Sequence, residues 1–225
     1  MNTAVRAKPS VVPKLFLAFV VVCSVLAVGA LLLRRELSAE SYMLQSGAPA
    51  GGTPLWMSPS FSLVDHLGRH VTRDSLRGAP FVADFIFTRC STLCPLLTAR
   101  LVQLQHRTQQ RGLQFVSFSV DPDHDDATAL RKFASAWNPN ELRWHVLATT
   151  WEKLADIVPG YRVTVRRTSD RKNPIIHSNA FFLVDGQGMV RGVYDSSDQR
   201  ELDRLTRDAF AISTSDVALR NVARP

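Results

Sequence analysis

Two of the chain's three cysteines, Cys90 and Cys94, stand four positions apart in the run FIFTRCSTLCPLLTARL, Phe85 to Leu101. An apolar, strand-like run ends just before them, and a helical pattern opens at Pro95. Thiols at such a junction have three uses: a disulfide, a shuttle for electrons, or part of a metal site. A helix start carries partial positive charge. That charge favours thiolate, the form that attacks disulfides and binds metals. In open α/β sheets, sites form beyond the C-terminal ends of strands. Pro95 suits the first helical position and disfavours helical geometry at Cys94, so the spacing predicts a loop folded over the helix start. On a regular helix the two Cβ atoms would lie about 5–6 Å apart, whereas a disulfide needs about 3.8 Å. A CxxxC loop reaches either distance. A purely structural staple is the weakest of the three uses, because so short a loop removes little chain entropy.

A metal needs further ligands. His66 and His70 flank a predicted hairpin turn and read as solvated. His106 lies on a helix surface, and His145 reads as packed inside a strand. His177 ends an irregular stretch and precedes the apolar run AFFLV, a position of the kind where loops carry site residues. Taken alone, a single histidine there reads as incidental.

The elements that must hold these residues are legible in outline. Phe81–Phe87 is a short apolar run that reads as a strand buried on both faces. Leu97, Leu101 and Leu104 recur at helical spacing, and Gly112 follows as a stop. Strand and helix patterns then alternate through LQFVSFSV, DDATALRKFASAW, RWHVLAT and TWEKLADIV, the last stopped by Pro159. Hairpins are predicted around Gly68 and around the GQG turn, and a last helix over DQRELDRLTRDAFAI. This alternation implies βαβ units and a largely parallel central sheet, with antiparallel strands added by the terminal hairpins.

The chain has 225 residues, 45% of them hydrophobic, enough for one packed domain and something more. Leu15–Leu33 contains no charge and as a helix would extend about 28 Å, close to a bilayer's hydrocarbon thickness. It is longer than a signal-peptide core, and Val20, Val21 and Val22 ahead of Cys23 do not resemble a lipoprotein site. The reading is a cytoplasmic N-terminus at 1–14, a retained transmembrane anchor at 15–35 and a Gly/Pro/Ser-rich tether at 36–59. One domain then occupies 60–215, outside the cytoplasm, followed by a loose tail at 216–225. The formal charge of +7 is concentrated before Glu36; from there on, 22 basic residues face 20 acidic ones. With no basic stripe interleaved with aromatics, nucleic-acid binding is excluded. The stretch YRVTVRRTSDRK reads as a solvated loop, with docking to an acidic partner face as the alternative.

Taken together, FIFTRCSTLCP, FVSFSVDPDHDDATALRKFA, WHVLATTWEKLADIV and IIHSNAFFLVDGQGMVRGVYD resemble the Sco/SenC family of membrane-tethered copper chaperones, over about Ser58 to Phe210. Ser91 and Thr92 stand where family members often carry Pro and Asp. The resemblance implies an α/β, thioredoxin-like fold with a central mixed sheet flanked by helices, plus one N-terminal transmembrane helix. It implies copper, Cu(I) and/or Cu(II), bound by Cys90, Cys94 and His177, with Cys90 and Cys94 also able to form a redox disulfide. Soft thiolates with imidazole suit Cu(I), although the same donor types also accept zinc. Asp121 reads first as a turn residue or helix cap and second as a group orienting the site. The implied role is delivery of copper to the copper centre of haem-copper oxidase subunit II, without classical enzyme activity, at a bacterial inner membrane with the domain in the periplasm. An upstream copper donor and a thiol reductant are implied partners. The alternative is a membrane-anchored thiol–disulfide oxidoreductase, whose exchange chemistry needs the thiols but not His177.

Overall fold

In a computed structural model, the chain divides into two units, 1–45 and 46–225. Residues 53–90, 94–109, 112–137, 142–168 and 175–222 are described, together with Gly29. Apart from Gly29, the expected anchor at 15–35 lies outside them, and among the described residues no helix is long and apolar enough to cross a membrane.

The apolar run that precedes the cysteines forms β4, Phe81–Ile86, buried at every position. It lies inside an eight-stranded sheet of order β1-β10-β9-β4-β5-β6-β2-β3. The other strands are β1 (Trp56–Met57), β2 (Ser62–Asp65), β3 (His70–Thr72), β5 (Gln114–Ser119), β6 (Trp144–Ala148), β9 (Ala180–Val184) and β10 (Met189–Asp195). β7 (Arg166–Arg167) and β8 (Ile175–Ile176) form a separate two-stranded sheet. The helices are α1 (Cys94–Arg107), α2 (Ala127–Ala136), α3 (Trp151–Gly160) and α4 (Gln199–Val222). Local sequence accounts for two of the helix starts. The Asp126 carboxylate accepts from Ala129 N at 2.8 Å to cap α2, and the Thr150 hydroxyl accepts from Lys153 N at 3.2 Å to cap α3.

The expectation of a largely parallel sheet is corrected. Only β4–β5 and β5–β6 pair in parallel; β4–β9, β9–β10, β1–β10, β2–β6 and β2–β3 are antiparallel. Strand–helix alternation sets the parallel trio, but both hairpins then attach to its flanks. Three boundaries also differ. α3 runs through Pro159 to Gly160, because a proline in a last turn removes only one helical hydrogen bond. β1 falls within the stretch read as a tether, and α4 continues to Val222, into the stretch read as a tail.

Two apolar cores cover the sheet's faces. One gathers Phe61, Phe85, Phe118, Tyr161 and Phe182 beneath Leu154 and Ile157 of α3. The other gathers Val82, Ile86, Phe115 and Trp144 beneath Leu97 and Leu101 of α1, Leu130 of α2 and Leu205 of α4. Phe118 centres the first core, with ring centroids 5.1 Å from Phe61, 5.6 Å from Phe85 and 5.7 Å from Tyr161. Phe118→Ala is expected to destabilise the fold by about 3–5 kcal/mol, read as a lowered urea midpoint at unchanged m-value. A change under about 1 kcal/mol would show that this cluster does not carry the core.

Candidate functional site

β4 delivers the chain to the site. After Ile86 the Phe87 side chain is still buried, and Cys90 N donates to Phe87 O at 3.3 Å, turning the backbone so that Cys90 is half-exposed. Residues 91–93 are not among those described. Cys94 is the first residue of α1, 1% exposed. The expectation that Pro95 would keep Cys94 out of the helix is therefore corrected: pre-proline crowding is a bias, and here it is overridden where Cys94 and Leu97 pack into the core. Cys90 does sit at the helix start, since Cys94 N donates to Cys90 Sγ at 3.3 Å.

His177 meets this pair from 83 positions away, with its Nε2 3.3 Å from Cys94 Sγ. Its Nδ1 lies 2.8 Å from Ser178 O. A carbonyl can only accept, so Nδ1 carries a hydrogen, and the neutral form of this ring presents the Nε2 lone pair to the sulfur. The Phe87 ring stands edge-on to the imidazole at 5.5 Å between centroids. Both cysteines are free thiols. A hydrogen bond to the Cys90 thiol, reinforced by burial, pushes the Cys94 thiol far above its ordinary range and keeps its proton in place. The two sulfurs are therefore unequal: Cys90 is reachable from solvent, and Cys94 is buried between Cys90 and His177. As they stand, no three His, Cys, Asp or Glu side chains among the described residues close around a single point as a metal requires. The three residues meet as two contacts sharing Cys94.

The loop after β5 holds the cysteine segment. Asp121, 2% exposed, accepts from Arg89 Nη2 at 2.7 Å and Nε at 3.0 Å, while its other oxygen lies 2.9 Å from His124 Nδ1. Its carbonyl accepts from His124 N and Asp125 N, so it is a turn residue as well; the cap of α2 is Asp126 instead. Asp125, equally buried, accepts from the Thr88 hydroxyl at 2.6 Å, from Thr88 N at 3.2 Å and from the Ser119 hydroxyl at 2.6 Å. Burial pushes its carboxyl upward and the hydroxyls oppose this. Thr88, Arg89 and Asp125 were not visible as site residues in the sequence; four aspartates crowded into DPDHDD were the available signal. His66, expected in solvent, is 1% exposed, because its N–H donates to Val146 O at 2.8 Å and continues the pairing of β2 with β6. His145 lies 2.9 Å from Asp65.

The SCO1/SenC family profile matches residues 52–208. The SCO1 protein homolog of Bacillus subtilis (strain 168) is 30% identical over 160 residues, which is 68% of this chain and 81% of that protein. Among solved structures the chain is similar to BsSco, described by its disulfide switch and as a member of the Sco family of cytochrome c oxidase assembly proteins. The TM-score is 0.62 at 28% identity, covering 72% of this chain and 97% of that one. It shares a fold with Arabidopsis thaliana ScoI solved with copper bound, with a TM-score of 0.59 at 21% identity over 68% of this chain and 97% of that one. The mixed α/β, thioredoxin-like architecture is the one these structures share.

One buried acid lies on β4 itself. Asp84 is 0% exposed; its Oδ1 accepts from the Ser117 hydroxyl at 2.5 Å, and Ser117 in turn accepts from Trp144 Nε1 at 2.9 Å. Its Oδ2 has no partner among the described residues. Burial raises the carboxyl from 3.8 to about 7, against smaller opposing effects from Ser117 and His177. A folded-state value above the unfolded one means stability that is complete below about 4 and is lost as pH rises to about 7, at up to about 1.4 kcal/mol per pH unit. Asp84→Asn is expected to flatten this slope in denaturation measured from pH 4 to 8 and to make the variant the more stable form at pH 8. An unchanged slope would show that Asp84 is not held neutral.

Proposed function

The chain belongs to the SCO1/SenC family, and from that premise we propose that it is a copper chaperone holding one copper through Cys90, Cys94 and His177. The observation that carries this reading is the 3.3 Å approach of His177 Nε2 to Cys94 Sγ. Thiol exchange needs no imidazole, whereas two thiolates and a neutral imidazole make a soft three-donor set suited to Cu(I). Copper is cargo here. Loading removes the thiol protons, including the one on the buried Cys94, and a small rotation of the half-exposed Cys90 side chain brings the third donor round. Asp121 then acts through Arg89 to fix the segment that ends in Cys90. The recipient is the copper centre of a haem-copper oxidase subunit II, in keeping with the cytochrome c oxidase assembly role of the Sco family to which BsSco belongs. An upstream donor supplies the copper, a thiol reductant keeps the sulfurs reduced, and residues 15–35 anchor the domain on the outer side of a bacterial inner membrane.

The unequal thiols favour a second reading, a thiol–disulfide oxidoreductase. Cys90 would attack a target disulfide, and Cys94 would resolve the mixed disulfide. The target leaves with two thiols, and Cys90–Cys94 leaves as the disulfide carrying the two electrons' worth of oxidation.

Copper titration of the reduced chain separates the two readings. The wild type is expected to bind one copper with thiolate charge-transfer absorption. Cys90→Ala, Cys94→Ala and His177→Ala should each weaken binding by about 100-fold or more, which is about 2.7 kcal/mol. Asp121→Asn should cost about tenfold. Wild-type binding by His177→Ala would refute the three-donor site and leave the oxidoreductase reading in its place.

A further inference from the structure

His177 reaches the thiols from an arm that leaves α3 at Arg162, a residue in the left-handed region with φ 57°, and rejoins the main sheet at β9. Within the arm, β7 pairs with β8 so that Arg167 stands opposite Ile175, two residues before His177. Ile175 is buried in the core, but the β7 side is exposed and belongs to a sheet separate from the main one. Three side chains from three different segments converge on it. The Arg167 guanidinium lies over the Trp151 ring, 4.0 Å from its centroid. It also pairs with Asp123 Oδ2. The other oxygen of Asp123 accepts from Trp151 Nε1 at 2.8 Å. Trp151 begins α3 and Asp123 lies between Asp121 and Asp125, so one loop grips the cysteine segment at Arg89 and Thr88 and the histidine arm at Arg167.

We propose that Asp123, Trp151 and Arg167 form a clasp that positions His177 for metal binding. The proposal rests on the copper-site reading above. An isolated exposed ion pair does little. Here the cation is also stacked on an indole, and the indole's N–H fixes the carboxylate, so each member orients the other two. The same geometry bears on the basic stretch YRVTVRRTSDRK. Arg167 is engaged within the chain, and Arg162 stacks over Trp56 at 4.1 Å; neither is simply a free docking charge.

The test is a double-mutant cycle on the full, reduced chain, with Cu(I) competition against a chelator as one readout and amide hydrogen exchange at residues 175–180 of the metal-free protein as the other. Arg167→Ala and Asp123→Asn are each expected to weaken copper binding about three- to tenfold, and the pair together no more than the stronger single. In a His177→Ala background the same changes should move affinity by less than about twofold, since a positioning residue has nothing left to position. Exchange at 175–180 should quicken in both variants. The proposal requires both results. Equal weakening with and without His177, or unchanged exchange at the arm, overturns the clasp. Failure of the copper-site reading is visible separately, as wild-type affinity in His177→Ala alone; in that event exchange at 175–180 still decides whether the clasp holds the arm.

Discussion

The site depends on one contact between parts made far apart: the Cys94 sulfur at the start of a helix and the His177 nitrogen on an arm, 3.3 Å apart across 83 positions. What makes that contact available is strand direction. β9 runs antiparallel to β4, with Phe81 opposite Val184 and Ala83 opposite Phe182. The chain therefore enters β9 at the end where it leaves β4. Residues just before β9 and just after β4 are brought to the same edge of the sheet, and His177 and Cys90 are such residues. A parallel β9 would have delivered the histidine to the opposite end, and the thiols would face no imidazole.

The two sulfurs are differentiated by their surroundings rather than by their type. Cys94 is enclosed by core side chains and keeps its proton. Cys90 takes the N–H of the helix's first turn and remains open to solvent. Metal transfer by ligand exchange and disulfide exchange both need one sulfur a partner can touch, so the half-exposed Cys90 serves either chemistry. In the proposed copper site the imidazole, with Nδ1 committed to Ser178 O and edge-on to Phe87, is the element that would turn a dithiol into a soft three-donor set.

Precision at such a site needs neighbours that do not move, and the loop after β5 provides them through carboxylates rather than apolar packing. Asp121 and Asp125 are buried and satisfied by Arg89, Thr88 and Ser119, which is what makes burial of a carboxylate tolerable. Asp84, deeper in the sheet, lacks a full set of partners and is held near neutrality instead. A satisfied carboxylate fixes geometry, and an unsatisfied one makes stability depend on pH.

By itself the sequence determined the local pieces: the fully apolar β4, the leucine spacing of α1, the two hairpins, and the placement of two thiols where a strand gives way to a helix. These follow from short-range periodicity and turn chemistry, which a few neighbouring residues suffice to express. The family resemblance, not spacing, singled out His177 from six histidines. Only the tertiary structure decided the antiparallel docking of β9 on β4, the burial of His66 against β6, and the use of Asp121, Asp123 and Asp125 to hold three different partners. Each of these depends on which segments come to lie side by side. That choice is made by the burial of whole faces, with contacts spanning tens of residues, and no window of neighbouring residues contains it.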